Sequence, residues 1–389
     1  MHNWQDLELD LKDLRQKNLY RSLTPISAQA GSRLWIGKKS FINFSSNNYL
    51  GLATHPAVAQ KAIQAIRRWG TGSGASRLIS GNLKIHTDLE NELARFKAEE
   101  AATVFSSGYL ANLGVVTALL NEKDLVLVDR LNHASLIDAA RFSKAKLWVY
   151  PHKDVEALEK LLQKGSVFRK RMVLTDAYFS MDGDVAPLKD LLAVSRKYNA
   201  ILMIDEAHST GVYGKKGRGL TEHFGLLGRV DIVMGTLSKA LGSVGGFIAG
   251  SAVLKEYLTN RSREFIYTTA PSPAASAAAM ESLNIIKKTP EIRRRLWANI
   301  AYVRGGLKEL GFDLMDSEGP VIPIVIGDTK KTLLLREMLK TQGIFAPAVR
   351  PPTVPKNTDR IRLSLMANHT KEELDKLLSV LKKARKSVL

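Results

Sequence analysis

The sequence of 389 residues contains no cysteine, which excludes a disulfide framework, a cysteine nucleophile and any thiolate-ligated zinc or iron–sulfur site. Its eight histidines form no His-x3-His or His-Glu-x-x-His array, so we expect no metal site. Long hydrophobic runs are also missing, because the longest weakly polar stretch, residues 241–254, is glycine-rich and too short to span a membrane. The N-terminal residues 1–12 are acidic and lack an apolar core, so the sequence predicts a soluble, cytoplasmic protein without a signal peptide.

Composition and charge describe an ordinary globular chain with a basic surface. Hydrophobic residues make up 45% and charged residues 24%, and about 150 residues per domain predicts two or three domains. The 57 Lys and Arg residues against 38 Asp and Glu residues give a net charge of +19, which favours anionic partners such as phosphorylated substrates or acidic carrier proteins. The densest basic clusters have no aromatic residues between them, so we do not expect nucleic-acid binding.

The hydrophobic pattern indicates an α/β fold. Residues 4–19 have the spacing of an amphipathic helix, and short strands are predicted at 34–36 and 41–44. Helices then alternate with short apolar strands, which favours a mostly parallel sheet covered on both faces. The pattern changes after residue 270 to that of a smaller α+β lobe. We therefore predict an N-terminal helix and arm (1–50), a large domain (51–287) and a small C-terminal domain (288–389). The strands predicted for the large domain are 125–128, 146–150, 172–176, 200–204, 232–236 and 246–249.

Polar side chains follow several of these strands, where ligands bind in parallel sheets. They are His133, Ser180, Asp205, His208 and Lys239. A strand-end aspartate is often a helix cap and a strand-end lysine is usually solvated, so neither residue alone identifies a site. An acid and a lysine at neighbouring strand ends can, however, converge on one crevice.

Two further segments make that crevice suitable for a phosphate. Thr236 and Ser238 flank the lysine with hydroxyl groups, and residues 107–109 (Ser-Gly-Tyr) lie at a predicted helix N-terminus. The backbone N–H groups of such a terminus bind anions. A lysine, an acid, a histidine and a phosphate cradle together describe a pocket for pyridoxal 5'-phosphate (PLP).

The sequence resembles the α-oxoamine synthases, a family of fold-type I PLP enzymes, over essentially the whole chain. The matching motifs are the segments around Asp205 and Lys239 and residues 43–51, 72–77, 132–135, 179–184 and 350–355. The resemblance implies a large domain with a mostly parallel, seven-stranded sheet and a smaller α+β C-terminal domain. It also implies a homodimer whose active sites are shared between the subunits.

The resemblance assigns roles around the cofactor. Lys239 would bind PLP covalently and remove the Cα proton of the amino acid, which requires a neutral amine although a free lysine has a pKa of about 10.4. Asp205 would pair with the pyridinium nitrogen and keep the ring a strong electron acceptor. His133 would stack on the ring, and His208 would hydrogen-bond its phenolic oxygen with help from Ser180.

The resemblance also assigns residues that would bind the phosphate and the substrates. The residues expected to hold the phosphate are Gly108, Tyr109, Thr236, Ser238 and, from a second subunit, Thr268. Alternation places Arg360 and Arg362 on one strand face, where one guanidinium can bind a carboxylate; the family pattern selects Arg362. The residues expected at the acyl substrate or product are Arg21, Asn47 and Thr353.

The implied activity is a decarboxylative condensation of L-alanine with pimeloyl-CoA or a pimeloyl-acyl carrier protein, which releases CO2 and a free thiol in biotin biosynthesis. Residues 350–355 favour this activity over the activities of the other members of the family. The alternatives are a glycine C-acetyltransferase, an amino-acid palmitoyltransferase, an aminotransferase of the same fold, and a non-catalytic basic binding protein.

Overall fold

The computed structural model describes residues 4–17 and 19–388, and its strands form three sheets. A seven-stranded sheet has the order β4-β10-β9-β8-β7-β5-β6, a four-stranded sheet the order β1-β2-β3-β12, and a three-stranded sheet the order β11-β14-β13. The strands are β1 (Ala28–Ala30), β2 (Arg33–Ile36), β3 (Lys39–Asn43), β4 (Ala101–Phe105), β5 (Leu125–Asp129), β6 (Lys146–Tyr150), β7 (Arg171–Asp176), β8 (Ile201–Asp205), β9 (Ile232–Thr236), β10 (Gly246–Gly250), β11 (Val321–Gly327), β12 (Ile344–Phe345), β13 (Ala348–Val349) and β14 (Asp359–Ser364).

Fourteen helices connect and cover these strands in the described part of the chain. Three short turns of other helix types lie at Leu52–Thr54, Arg77–Gly81 and Gly165–Val167. The helices are α1 (Gln5–Gln16), α2 (Pro56–Trp69), α3 (Lys84–Lys97), α4 (Gly108–Leu119), α5 (Ala134–Phe142), α6 (Val155–Lys164), α7 (Leu188–Lys197), α8 (Leu220–His223), α9 (Ala252–Arg261), α10 (Arg263–Ile266), α11 (Pro273–Lys288), α12 (Pro290–Glu309), α13 (Thr329–Thr341) and α14 (Lys371–Val388).

The seven-stranded sheet is mostly parallel, as expected. Strands β6, β5, β7, β8 and β9 run parallel, whereas β10 is antiparallel to both β4 and β9. Side chains of a strand alternate between the faces, so Leu125 and Leu127 join one apolar cluster while Val126 and Val128 join the other. Helices α4 and α5 cover the second face, and their N-termini lie at the carboxyl ends of the strands.

Strand β4 is the strand of the seven-stranded sheet that the hydrophobic pattern did not predict. Its sequence, Ala-Ala-Thr-Val-Phe, directly follows helix α3, which ends with Ala98 in the left-handed conformation. Two leading alanines favour a helix in isolation, but the segment pairs with β10 at an edge of the sheet. Pairing with a distant strand therefore outweighs the local preference.

The two ends of the chain join in one small sheet. Strand β3 of the N-terminal arm pairs in parallel with β12, with Ile42 opposite Ile344. The arm strands therefore pack with the C-terminal part of the chain, although the division at 1–50, 51–287 and 288–389 stays a prediction. Helix α1, by contrast, buries no residue. No helix in the described ranges is long and apolar enough to cross a membrane.

Candidate active site

The site lies at the carboxyl ends of three adjacent strands of the large sheet. Asp176 ends β7, Asp205 ends β8 and Thr236 ends β9. Asp176 and Asp205 are direct neighbours in the parallel register. Asp205 and Thr236, which were singled out from the sequence, therefore share one edge with Asp176, which was not, and such edges bind ligands.

Asp205 is buried and its carboxylate is fixed on both oxygens. Oδ1 accepts a hydrogen bond from the backbone N–H of Ala207 at 2.8 Å, and Oδ2 accepts one from Asn112 Nδ2 at 2.9 Å. Asn112 also donates to Ser135 Oγ at 2.8 Å. Sequence reasoning missed Asn112, whose only signal is a polar residue within the apolar helix α4. Its amide orients the carboxylate that faces the site.

Lys239 lies within the electrostatic field of this carboxylate. Burial lowers the pKa of Lys239 to about 8, although the charges of Asp205 and Asp176 act in the opposite direction and Arg362 lowers it further. The neutral amine is therefore accessible near neutral pH, which a nucleophilic or basic lysine requires. Burial and the nearby Asp205 raise the pKa of Asp176 well above its ordinary value.

His133 presents its ring at the surface of the site. Its Nδ1 caps helix α5 by accepting the Ser135 N–H at 3.2 Å, and its own backbone N–H donates to Asp176 Oδ2 at 2.7 Å. The side chain is exposed although its backbone is fixed. A held ring with an open face is what stacking on a planar ligand needs.

His208 is buried and hydrogen-bonded to Tyr49. The Tyr49 hydroxyl lies 2.6 Å from His208 Nδ1. Burial and, after it, the charge of Lys239 lower the pKa of His208 well below its ordinary value, and burial raises that of Tyr49 to about 12. The neutral ring accepts the hydroxyl proton at Nδ1 and keeps its own proton on Nε2, where it can be donated to a ligand oxygen. The sequence-based argument did not assign a role to Tyr49.

The N-terminus of α4 forms the expected anion cradle. Ser107 Oγ caps the helix by accepting the Leu110 N–H at 3.1 Å, and the first N–H groups of a helix have no intrahelical partner. A Cβ on Gly108 would lie 3.0 Å from Met234 Cε and 3.6 Å from Thr236 Oγ1, so glycine keeps this approach open. The helix therefore offers backbone donors beside the end of β9.

Three hydroxyl-bearing residues of the predicted cradle have other partners. Thr236 Oγ1 donates to the Gly245 carbonyl at 2.8 Å, and Ser238 Oγ accepts the Gly245 N–H at 3.2 Å. The Tyr109 hydroxyl donates to Asp138 at 2.7 Å, so its backbone N–H rather than its phenol is suited to an anion. Thr268 makes no hydrogen bond to this cradle within the described chain, and its role in a second subunit stays a prediction.

Arg362 enters the site from the small sheet. Its guanidinium donates from Nε to the Ser180 carbonyl at 2.6 Å, from Nη1 to Ser364 Oγ at 2.9 Å and from Nη2 to Asn47 Oδ1 at 3.2 Å. Arg360, on the same strand face, is buried and pairs instead with Asp182 at 2.8 Å. The structure thus separates the two arginines that alternation alone left equivalent.

The remaining predicted residues form an exposed pair. Arg21 Nη2 of the N-terminal arm donates to Thr353 Oγ1 at 3.1 Å. Both residues are exposed, and no hydrogen bond in the described ranges joins them to Asn47. The structure therefore brings these two residues together, apart from the buried network of Arg362.

Comparisons with known proteins agree with this arrangement. The model of the aminotransferase class I and II family matches residues 39–381. The 8-amino-7-oxononanoate synthase of Thermoanaerobacter pseudethanolicus is 45% identical over 389 residues, covering 100% of this chain and 98% of the relative. The chain belongs to the 8-amino-7-oxononanoate synthase family. The synthase of Treponema denticola is 44% identical with the same coverage.

Solved structures give the same fold. A serine palmitoyltransferase from S. paucimobilis with a bound PLP–myriocin aldimine matches with a TM-score of 0.93 and 30% identity, over 99% of this chain and 98% of that one. An 8-amino-7-oxononanoate synthase from Francisella tularensis matches with a TM-score of 0.78 and 28% identity, over 89% and 98%. The predictions of a fold-type I α/β architecture and of a PLP-dependent acyltransferase family are therefore confirmed.

The residues present fit PLP. A buried carboxylate, a lysine with a lowered pKa and an open histidine ring surround one strand edge, and Gly108 keeps the helix N-terminus accessible. These are the donors and acceptors that a pyridine nitrogen, an aldehyde, a planar ring and a phosphate require.

Proposed function

We propose that this chain condenses L-alanine with a pimeloyl thioester and releases CO2, a free thiol and 8-amino-7-oxononanoate in biotin biosynthesis. The proposal is carried by Lys239, which follows strand β9 and lies within the electrostatic field of Asp205 and Asp176, in a chain 45% identical to a synthase of this name. The individual roles of the site residues are part of the proposal.

PLP, when bound, supplies an electron sink for the negative charge that develops at the amino-acid Cα. Asp205 holds the proton of the pyridine nitrogen, and Asn112 and the Ala207 N–H keep the carboxylate oriented for it. His133 would cover one face of the ring when the cofactor is bound. His208 would donate its Nε2 proton to the phenolic oxygen, because the Tyr49 hydroxyl occupies Nδ1.

Lys239 is the base of the reaction. Its neutral amine takes the proton from the Cα of L-alanine and later returns one to the product. Burial favours the neutral form, whereas Asp205 and Asp176 favour the charged form. A pKa near 8 lies close to working pH, where a general base can alternate between both forms.

Arg362 binds the α-carboxylate of the amino acid. A guanidinium has five N–H groups, and Ser180, Ser364 and Asn47 each accept one. The remaining N–H groups lie beside the Tyr49 hydroxyl and are the ones that would meet a ligand carboxylate. Two N–H groups of one guanidinium fit the two oxygens of a carboxylate. Fixing the carboxylate would set how the Cα bonds are oriented relative to the bound cofactor.

The acyl donor approaches by the exposed pair of Arg21 and Thr353. The net charge of +19 supports an anionic donor, either CoA or an acidic carrier protein, through electrostatic steering. If kcat/KM for the acyl donor did not change between low and physiological ionic strength, steering would be excluded.

We also propose a cytoplasmic homodimer. Among the large apolar side chains exposed in the described residues are Leu78, Ile79, Val244 and Tyr267, with exposed fractions of 52%, 81%, 62% and 72%. Residues 78–79 and 267 lie near Thr268 through the bridge between Ser76 and Thr269. Such a surface favours burial by a second copy, which would bring Thr268 to the partner's site. Light scattering tests the dimer, and cell fractionation tests the location.

One experiment discriminates among the family's substrates. Purified protein with PLP receives L-alanine, glycine or L-serine together with pimeloyl-CoA, pimeloyl-acyl carrier protein, acetyl-CoA or palmitoyl-CoA, and mass spectrometry identifies the products. We expect 8-amino-7-oxononanoate from alanine and a pimeloyl donor. Since the solved serine palmitoyltransferase matches with a TM-score of 0.93, the serine and palmitoyl arm is the essential competitor. A product from that arm alone would contradict the proposal, as would a keto acid formed from alanine alone.

A further inference from the structure

A partly buried charged cluster lies behind residues 179–184 and takes no part in the steps above. His152 follows strand β6 and lies between two carboxylates. Its Nδ1 is 2.9 Å from Asp129 Oδ1, and its Nε2 is 2.9 Å from Asp184 Oδ2. Lys153 completes the cluster, because its Nζ lies 2.8 Å from Asp184 Oδ2 and its backbone N–H donates to Asp129 Oδ2 at 2.9 Å. We call these four residues the His152 cluster.

The geometry requires a doubly protonated ring. Both ring nitrogens face carboxylate oxygens, which only accept hydrogen bonds, so both nitrogens must donate. Burial disfavours the charged ring, but the hydrogen bonds and charges of Asp129 and Asp184 outweigh this effect and raise the pKa of His152 to about 9. His152 is therefore a fixed cation at neutral pH, distinct from the neutral His208.

The His152 cluster holds both ends of residues 179–184. Asp184 lies at one end, and its backbone carbonyl accepts the Phe179 N–H at 3.0 Å. Phe179 lies at the other end and packs edge-on against the His152 ring, with the ring centroids 4.4 Å apart at an angle of 89°. The His152 ring thus contacts Asp184 at one end of the segment through its charge. It contacts Phe179 at the other end through the perpendicular packing of the two rings.

The opposite side of the same segment holds Arg362. The Ser180 carbonyl, next to Phe179, accepts the Nε proton of Arg362 at 2.6 Å. The Met181 carbonyl and the Asp182 carboxylate accept hydrogen bonds from Arg360 at 3.2 and 2.8 Å. Residues 179–184 therefore lie between the His152 cluster of the large domain and two arginines of strand β14.

We propose that His152 is a positioning residue for recognition of the substrate α-carboxylate: as a cation it fixes residues 179–184, and the Ser180 carbonyl then orients the Arg362 guanidinium. The inference rests on the role of Arg362 in the proposed function. It assigns to a side chain outside the pocket a share in the affinity for the amino acid, with no share in the affinity for the acyl donor.

The test compares Michaelis constants in the PLP-loaded enzyme. His152→Asn keeps a polar group but removes the charge and one hydrogen bond. We expect KM for L-alanine to rise about five- to tenfold, less than the full effect of one charge-assisted hydrogen bond because His152 acts through residues 179–184, while KM for the pimeloyl donor and kcat stay within about twofold. The matched control is His223→Asn, because His223 is exposed and its ring lies against Tyr213 and Phe224, away from residues 179–184; it should change neither constant.

A purely structural role predicts a different result. The variant would then melt at a lower temperature and contain less active enzyme, so kcat would fall while both Michaelis constants stayed unchanged; that result would overturn the inference. If His152→Asn does not fold, Asp129→Asn removes one partner of the ring and should raise KM for alanine in the same direction by a smaller factor. An unchanged KM in the soluble variant would again overturn it.

A second comparison separates this inference from the proposed function. If Arg362→Lys leaves KM for alanine unchanged, the proposed role of Arg362 is wrong. If Arg362→Lys raises that KM but His152→Asn does not, only the role of His152 is wrong. Because His152 acts through Arg362, adding His152→Asn to Arg362→Lys should raise KM by less than about twofold, since residues in one network are not additive.

Discussion

The half of the site that belongs to the large sheet differs from the half that joins distant parts of the chain. Asp205 and Thr236 end neighbouring strands of one sheet, and their relative positions follow from a regular hydrogen-bonded register. Asn47 and Arg362, in contrast, are 315 positions apart in the sequence and meet only through the packing of the arm against strand β14. In the proposed function the first half holds the cofactor and the second binds the amino acid, so the two tasks fall to different parts of the fold.

Replacing the lysine should have the largest effect, within the sheet-borne half. Lys239→Ala removes both the attachment point of PLP and the base, so we expect kcat to fall by about a thousandfold or more. The absorbance of the attached cofactor should disappear, although PLP can still bind without a covalent bond. Activity at the parent rate would contradict the assignment of Lys239.

Arg362→Lys tests the half of the site that joins distant parts of the chain. An ammonium cannot form the planar pair of hydrogen bonds that a guanidinium offers a carboxylate. We expect KM for L-alanine to rise by about fiftyfold while the spectrum and affinity of bound PLP stay unchanged. Loss of PLP binding in this variant would show that the two halves are not separable.

Asn112→Leu tests the hydrogen bond that orients Asp205 in the half of the site on the large sheet. Leucine fills a similar volume but leaves Asp205 Oδ2 without its 2.9 Å hydrogen bond. Loss of a hydrogen bond to a charged group corresponds to about tenfold, and we expect the dissociation constant of PLP to rise by that factor. Equilibrium dialysis measures it, and a PLP affinity equal to that of the parent would refute the orienting role.

Gly183→Ala tests the close approach between residues 179–184 and strand β11 through its effect on stability. Gly183 has φ +74°, and a Cβ there would lie 2.4 Å from the Val321 carbonyl oxygen of the small sheet. We expect the free energy of unfolding to fall by about 1–3 kcal/mol. The control is Gly305→Ala within helix α12, where a Cβ has nothing within 4 Å; an equal loss in both variants would rule out the close approach as the cause.

The smallest effect concerns pH. The folded-state pKa of His152 is raised from 6.5 to about 9, so the stabilisation that its charge provides is complete below pH 6.5 and is lost as pH rises through 9. The groups that face the ring are Asp129, Asp184 and Lys153. The difference in melting temperature between the parent and His152→Asn should therefore shrink between pH 6.5 and pH 10. A difference independent of pH would show that the ring is neutral.

The sequence predicts the sheet-borne half well, for a physical reason. Strand ends are local features, and a parallel sheet places its carboxyl ends at one edge, so Asp205, His208 and Lys239 could be found without any long-range information. Asn112 and Tyr49 could not, because a buried amide and a phenol look like ordinary core residues until their partners are known. Strand β4 was missed since its alanines favour a helix locally.

The half of the site that joins distant parts of the chain could be predicted only from the family resemblance or seen in the structure. Alternation places Arg360 and Arg362 on one face, but only the packing of β14 against residues 179–184 gives one arginine to Asp182 and the other to the site. The pairing of β3 with β12 likewise depends on a contact between chain ends. Contacts of this range leave no periodic signal in the sequence.

The most direct test of the account is to locate the lysine that binds PLP. Borohydride reduction of the PLP-loaded enzyme makes the attachment permanent, and mass spectrometry of the proteolytic peptides identifies the modified residue. The account predicts the phosphopyridoxyl group on Lys239, with no labelling of the Lys239→Ala variant at any single site. Stoichiometric labelling of a different lysine, with Lys239 unmodified, would contradict it.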